Sequence, residues 1–177
     1  MPLMPCCMIA LMGVAGLYAN ELPLFMRHAL LDNGISLEEL NAAIRHYGGF
    51  EECTHWLEIK ATHLMDNKPH LRWSAMQYNT FMRHCLVIFY PFVVRLRLEE
   101  TSKKPLWDSL VCLSTVHYNI YTPEFTKEQM IHTEKQLEWH DTLYISAYGR
   151  ITGIPKHHGA MHLPMEAWGY GPQSPNR

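Results

Sequence analysis

The sequence predicts an all-α protein, an irregular bundle of about six or seven helices with short connections. Three observations lead to this fold class. Capping-box signatures precede three segments, and several segments carry apolar residues at helical spacing. Outside the apolar helical segments, no stretch of six residues alternates apolar and polar residues with period two. The one strand-like run, Val93–Leu98, directly follows an apolar helical segment, so we interpret it as the continuation of that helix. The 177 residues are expected to form a single domain.

Residues 1–20 are predicted to form an apolar N-terminal helix. The apolar run Leu3–Tyr18 is shorter than the ~20 residues that span a bilayer, so no membrane partner is expected. A secretory signal is the alternative, but no Lys or Arg precedes the run and the residues before Ala19 form a poor cleavage site. We therefore favour a buried helix.

Start and stop signals delimit the following helices. Asn20 is expected to cap a helix over Glu21–Leu31, with Glu21 in the first turn, where the helix dipole favours an anion. Three capping boxes with apolar staple residues start later helices, at Ser36–Glu39, Ser74–Gln77 and Thr126–Gln129. The first of these helices is expected to end at Gly48-Gly49 and the last at Gly149.

The most apolar helix is expected to lie at the centre of the bundle. The helix after Ser74 is apolar around much of its circumference, and Pro91 is expected to kink or split it near Tyr90. A further helix begins at Pro105 and carries a stripe of leucine and isoleucine residues, namely Leu106, Leu110, Leu113 and Ile120. Cys85 and Cys112 lie in these segments and are expected to behave as small hydrophobic residues.

Charge and cysteine usage exclude two classes of protein. The net charge of −2 argues against a stand-alone DNA-binding module, which usually has a concentrated basic face. The nearest approach to a basic patch is Arg95, Arg97, Lys103 and Lys104. The five cysteines form no C-x-x-C pair, which argues against a zinc ribbon and a disulfide framework and favours a reducing, intracellular compartment.

The densest group of candidate site residues lies in the C-terminal tail, 154–177, which we expect to pack loosely. Pro155 suits the first turn of a short helix, on which His158 and His162 share one face. Two imidazoles can bind a divalent metal only with a third and usually a fourth ligand, so with His157 they could serve a small metal-dependent hydrolase. The favoured alternative is that these histidines bond to backbone carbonyls, and we expect no cofactor.

Polar residues elsewhere are interpreted mainly as solvated surface. Glu134 and Glu138 lie four residues apart, close to His140 and Asp141, so a weak metal site there is the alternative to plain exposure. Arg83 and His84 could be mistaken for catalytic residues. They are better explained as peripheral side chains of the central helix.

Three residues of the tail, Lys156, Trp168 and Tyr170, are candidate nucleic-acid contacts. Aromatic rings stack on unpaired bases, so the two aromatic residues suit single strands. The alternative is that they pack the terminal turn onto the bundle.

The PKHHxxxHLP stretch and the turn Tyr170-Gly171-Pro172 resemble the C-terminal part of a family of transposase-like proteins encoded by DNA transposable elements. The resemblance continues upstream in the same order, in Leu22–Gly34, Leu71–Val93 and Pro105–Gly149. Each segment is only moderately specific, so the resemblance depends on their order.

The resemblance implies a parent protein that cuts and joins DNA with divalent metals held by carboxylates. Relatives are expected to carry an Asp, a His and a Glu before a Gly-Val pair. Here that stretch, Pro5–Val14, has no acidic residue and no histidine. The family also usually extends well past the Gly-Pro turn, whereas five residues follow Pro172 here.

We therefore expect a truncated or decayed transposon-derived protein without catalytic activity of its own, nuclear if it is functional. Its expected partners are DNA or a fuller copy of the parent protein. The alternative from another functional class is a helical interaction module that pairs with itself or with such a copy.

Overall fold

The computed structural model describes residues 16–47, 57–66, 68–121 and 126–149. These residues form seven α-helices and no strand, which confirms the all-α prediction. The helices are α1 (Leu17–Phe25), α2 (Leu37–His46), α3 (Ala61–Leu64), α4 (Ala75–Met82), α5 (Cys85–Arg95), α6 (Lys104–Ile120) and α7 (Lys127–Tyr148). A π turn and two 3-10 turns accompany them, at Met26–Leu30, Leu31–Asn33 and Leu98–Glu100.

The predicted helix boundary at Asn20 is wrong. Helix α1 begins at Leu17, passes through Asn20 and Glu21, and continues through the π and 3-10 turns to Gly34, where φ is 91°. Most side chains of this segment are buried, so tertiary packing outweighs the preference of Asn20 for a helix terminus. Residues 17–20 of the predicted N-terminal helix therefore belong to α1, and residues 1–15 lie outside the described part.

All three capping boxes are confirmed. The Glu39 amide donates to Ser36 Oγ at 3.1 Å, and the Ser36 amide donates back to Glu39 Oε2 at 3.0 Å. The helices α4 and α7 begin with the same reciprocal bonds. The predicted staple of α4 is also present, with the rings of Trp73 and Tyr78 5.5 Å apart.

The predicted split at Pro91 is wrong, because α5 runs through this residue to Arg95. The break lies earlier, between Met82 and Cys85, where Tyr47 Oη and His84 Nδ1 are 2.9 Å apart. Pro91 is tolerated on the exposed side of α5. The carbonyl of Val87, which loses its amide donor to the proline, belongs to a residue that faces solvent, so water can take the place of that donor.

The core lies where α1, α4, α5 and α6 meet. Phe89 of α5 contacts Phe25 and Phe81, at ring-centroid distances of 5.2 and 5.6 Å. The predicted stripe of α6 is buried at all four positions, Leu106, Leu110, Leu113 and Ile120. Helix α7 packs along α6 and ends before Gly149, as predicted.

The two described cysteines behave as predicted. Both are free and buried, and burial raises the pKa of Cys85 to about 12 and that of Cys112 to about 11. They are therefore unreactive thiols at neutral pH. Within the described ranges, no helix combines the length and the apolar character needed to cross a membrane.

Candidate functional site

A buried ion pair joins the first and last described helices. Glu21 of α1 and His140 of α7 are both fully buried, and Glu21 Oε2 lies 2.6 Å from His140 Nε2. The other carboxylate oxygen, Oε1, has no hydrogen-bond partner among the described residues. Because Glu21 lies in the middle of α1 rather than in its first turn, its charge is stabilised by the imidazole and not by the helix terminus.

His140 is charged at neutral pH. Burial by itself lowers its pKa, but the carboxylates of Glu21 and Asp141 raise the pKa to about 9. Asp141 is partly exposed and helps to raise the pKa of His140, because its Oδ1 lies 3.8 Å from His140 Nδ1. The imidazolium and the Glu21 carboxylate therefore offset each other's charge inside the protein.

A second buried pair lies one turn earlier on α1. The Tyr18 hydroxyl is hydrogen-bonded to His117 Nδ1 of α6. Burial, with a smaller contribution from Arg83, lowers the pKa of His117 to about 3, while burial raises that of Tyr18 well above its usual range. His117 is therefore neutral, and the Tyr18 hydroxyl donates the proton to Nδ1. The buried Nε2 of His117 has no hydrogen-bond partner among the described residues.

A cleft of about 810 Å³ opens along the side of α1. Helix α1 and its following turns line it with residues four apart, and α7 supplies two tyrosines. The lining residues are Asn20, Leu24, His28, Asp32, Lys68, Pro69, Ser102, Lys103, Leu106, Tyr144, Ala147 and Tyr148. A concave site lined by apolar side chains and a few polar groups is typical of small-molecule binding.

Two tyrosines of the cleft lining lie close to the buried ion pair. The ring of Tyr144 lies 6.0 Å from that of His140 and 4.7 Å from that of Tyr148. Burial raises the pKa of Tyr148 well above its usual range, and the nearby Glu21 carboxylate adds to this. The Tyr148 hydroxyl therefore stays neutral, and the two tyrosine rings contact each other where the cleft lining approaches His140.

Polar and positively charged residues also line the cleft. Lys103 Nζ donates to Asn33 Oδ1 at 2.5 Å and lies 3.5 Å from the His28 carbonyl oxygen. His28 Nδ1 is 3.0 Å from Asp32 Oδ2. Arg27 donates to the Asp66 carbonyl at 3.0 Å, which holds the loop that carries Lys68 against α1. Within the described residues, neither Lys68 nor Lys103 forms an ion pair with a carboxylate.

The site residues predicted in the tail all lie outside the described residues. This applies to the metal ligands His158 and His162, to His157, and to the nucleic-acid contacts Lys156, Trp168 and Tyr170. These assignments stay predictions. Among the residues that the structure describes, no group of three or more His, Cys, Asp or Glu side chains could hold a metal ion.

The weak metal site considered on α7 is not formed. His140 is buried against Glu21, whereas Glu138 is exposed, so the two side chains lie on different faces of the helix. Arg83 and His84 are peripheral, as predicted, although they lie in the break between α4 and α5. The Arg83 guanidinium stands over the Tyr121 ring, 5.8 Å from its centroid.

Three of the four residues nearest to a basic patch contact carboxylates. Arg95 Nη1 lies 2.8 Å from Glu39 Oε1, and Lys104 Nζ lies 2.5 Å from Asp108 Oδ2. Arg97 is 4.0 Å from Glu100, a looser contact between two exposed side chains. Lys103 keeps its charge, because its acceptor Asn33 Oδ1 is neutral, so the three carboxylate contacts reduce the unpaired positive charge of this surface without removing it.

Sequence reasoning missed the buried polar pairs. One signal in the sequence indicates such pairs. Glu21 is a charged residue in a mainly apolar stretch, and Tyr18 lies three residues earlier on the same helix face. Nothing local identifies their partners on α6 and α7. Comparison of the chain with protein-family models, with curated proteins and with solved structures gives no match.

Proposed function

We propose that this chain is a transposase-like protein derived from a DNA transposable element, without catalytic activity of its own. One observation carries the proposal: sequence segments that resemble this family follow one another in the family's order. Leu22–Gly34 includes the last turn of α1 and the turns after it. Leu71–Val93 includes α4 and most of α5. Pro105–Gly149 includes nearly all of α6 and the whole of α7.

The lack of activity is inferred from the sequence at the stretch where the resemblance implies catalytic residues. Cutting DNA with two metals requires carboxylates that reach the ions. Pro5–Val14 supplies none. The buried carboxylate of Glu21 cannot substitute for them, since it is paired with His140 and enclosed by the core.

Supercoiled plasmid tests the proposal directly. The purified chain, incubated with plasmid and Mg²⁺ or Mn²⁺, is expected to leave the supercoiled form intact, and to bind duplex DNA weakly at 150 mM salt. A metal-dependent nuclease on the same plasmid serves as the positive control. Nicking that requires metal and disappears on substitution of particular Asp or Glu residues would contradict the proposal.

The family assignment has its own test. A transposable-element origin predicts that the DNA on either side of the reading frame encodes further sequence homologous to such elements, in any frame. Flanking DNA without such sequence would count against the assignment. On this proposal the protein acts in the nucleus, with DNA or a fuller copy of the parent protein as its partner.

A second candidate function is a helical interaction module, and the outer face of α5 favours it. Val87, Tyr90 and Val94 are 62%, 54% and 57% exposed and lie on one helix face, at positions i, i+3 and i+7. Contiguous exposed apolar residues often mark protein interfaces, and tyrosine is enriched among the residues that dominate binding energy. We call these three residues the α5 stripe.

Light scattering across a range of concentrations tests pairing through the α5 stripe. The wild-type chain is expected to show concentration-dependent dimers, which Tyr90→Glu abolishes because it introduces a charge into the contact. Met65→Glu changes an equally exposed apolar residue on another element and is the matched control. A strict monomer at high concentration argues against self-pairing.

A further inference from the structure

Basic side chains surround His63, a residue of the short helix α3. Lys60 directly precedes α3, and its amide donates to His63 Nδ1 at 3.2 Å. The His63 carbonyl accepts from the His70 amide at 2.7 Å, so the chain that follows α3 returns to this helix. Arg72 lies two residues further on. We call Lys60, His63, His70 and Arg72 the His63 cluster.

Positive charge dominates the His63 cluster. Burial lowers the pKa of His63, and the charges of Arg72, Lys60 and His70 lower this pKa further. The Glu58 carboxylate acts in the opposite direction with a smaller effect. Among the described residues, neither Lys60 nor Arg72 forms an ion pair with a carboxylate. The cluster therefore presents positive charge that the described part of the protein does not neutralise.

Arg72 has an unusual backbone conformation. Its φ is 54°, in the left-handed region that an L residue enters only at an energetic cost. The neighbours Leu71 and Trp73 are buried whereas Arg72 is exposed, so the backbone here turns the arginine side chain towards solvent. Glycine adopts this conformation without that cost. An arginine at a position that suits glycine points to a function of the side chain itself.

His63 adds a neutral hydrogen-bond donor to these charges. Its lowered pKa keeps the imidazole uncharged at pH 7, and Nδ1 accepts from the Lys60 amide, so the proton lies on Nε2. His63 is half-buried, and Lys60 and Arg72 are exposed. Two charged donors and one neutral donor together suit an anionic group with several oxygen atoms, such as a phosphate.

We infer that the His63 cluster binds the phosphate groups of a nucleic-acid strand. Arg72 contacts phosphate oxygens through its fork of N–H donors, Lys60 acts as a point charge, and His63 Nε2 donates a further hydrogen bond. The choice of nucleic acid over another carrier of phosphate rests on the proposed function, in which DNA is a partner. Two cationic side chains contact about two phosphates, so the binding is weak and depends on salt.

Fluorescence anisotropy of the full chain with a fluorescein-labelled oligothymidylate of about 20 nucleotides tests the inference. Two phosphate contacts on a single strand give a slope of about −1.4 in log affinity against log salt, so the affinity is expected to fall about sevenfold between 50 and 200 mM salt. No binding at 50 mM salt overturns the inference. The test of the DNA that flanks the reading frame does not depend on this result, so the two proposals fail separately.

Inorganic phosphate distinguishes a strand from a free ion. A strand presents its phosphates in series, so one bound phosphate holds the next one close to the cluster. Inorganic phosphate at an equal concentration of phosphate groups is therefore expected to leave the oligothymidylate bound. Displacement under this condition would mean that the cluster recognises a single free phosphate, and it would overturn the choice of nucleic acid.

A matched pair of variants locates the contact. Arg72→Gly removes the guanidinium and the backbone strain together. It is expected to weaken oligothymidylate binding about eightfold at 50 mM salt, since one phosphate contact is lost, and to keep or raise the thermal midpoint. Arg97→Gly is the control, because Arg97 is also exposed with a φ of 49° but lies beside Glu100. Equal weakening by both variants would mean that binding follows overall charge, and would overturn the inference.

A second pair keeps the test valid if Arg72→Gly unfolds the protein. Lys60→Gln removes the other charge of the cluster at an exposed position and is expected to weaken binding by a similar factor. Lys135→Gln removes the same charge from the exposed surface of α7 and should leave binding unchanged. Binding that is unaffected by Lys60→Gln contradicts the location of the site.

Discussion

Glu21 and His140 show how much a single side chain matters in this interior. Each is a charged group without solvent contact, and each is tolerated because the other is 2.6 Å away. Removing charges from water costs several kcal/mol per ion, and the attraction between the partners offsets that cost only while both are present. The pair therefore acts as a constraint on how α1 meets α7.

Substitution of Glu21 alone is expected to be strongly destabilising. Glu21→Leu leaves the His140 imidazolium without its partner and should lower the free energy of unfolding by about 3–5 kcal/mol, measured by urea denaturation. The double variant Glu21→Leu/His140→Leu should recover most of this loss, because it removes both charges. Asp141→Asn removes the other carboxylate near His140 and, since Asp141 is partly exposed, is expected to change stability by less than about 1 kcal/mol. Additive effects of the two leucine substitutions would refute the coupling.

At the scale of the helices, starts marked by a capping box were easier to predict than interruptions. The three capping boxes are formed as the sequence predicted, because each depends on hydrogen bonds between residues three apart. The break at Arg83–His84 was not predicted, and the split near Tyr90, one of the two outcomes predicted for Pro91, is wrong. The continuation of α5 through Pro91 depends on which side of the helix meets solvent. The break depends on the contact of His84 with Tyr47, which lies 37 residues away in the sequence.

The cap of α2 provides a test at this scale. Ser36→Ala removes the hydroxyl that accepts from the Glu39 amide and should lower the free energy of unfolding by about 1 kcal/mol in urea denaturation. Ser146→Ala, a substitution on the exposed surface of α7, is the matched control and should stay within about 0.5 kcal/mol of wild type. If both variants are equally stable, the capping hydrogen bonds contribute nothing net.

For the molecule as a whole, the two buried histidines respond to pH in opposite directions. The pKa of His140 is raised to about 9, so the stability that it contributes is complete below about pH 6.5 and is lost as the pH rises through 9. The pKa of His117 is lowered to about 3, so its contribution is present above about pH 6.5 and is lost as the pH falls towards 3. Stability should therefore be greatest near pH 6.5.

Urea denaturation at a series of pH values measures this profile. Between pH 6.5 and 9.5 the free energy of unfolding is expected to fall by up to about 3 kcal/mol, which corresponds to the shift of His140. The double variant Glu21→Leu/His140→Leu should lose most of this alkaline slope, and His117→Asn should reduce the acid slope. His132→Gln, at an exposed position on α7, is the control and should keep both slopes. An unchanged alkaline slope in the double variant would assign it to other groups.

Local patterns in the sequence were sufficient for the fold class, the three helix starts with capping boxes and the apolar stripe of α6. These features depend on residues three or four apart, whose side chains meet within one helix whatever the rest of the chain does. The candidate metal and nucleic-acid residues from Lys156 to Tyr170 also came from local patterns, and they stay predictions outside the described residues.

The buried pairs and the cleft were decided by tertiary structure alone. Glu21 and His140 are 119 residues apart, and Tyr18 and His117 are 99 apart. Their chemistry depends on which faces of α1, α6 and α7 meet and on how far that contact excludes water. The same carboxylate on the surface of α1 would be an ordinary solvated charge, and only the packing of the helices turns it into half of an ion pair.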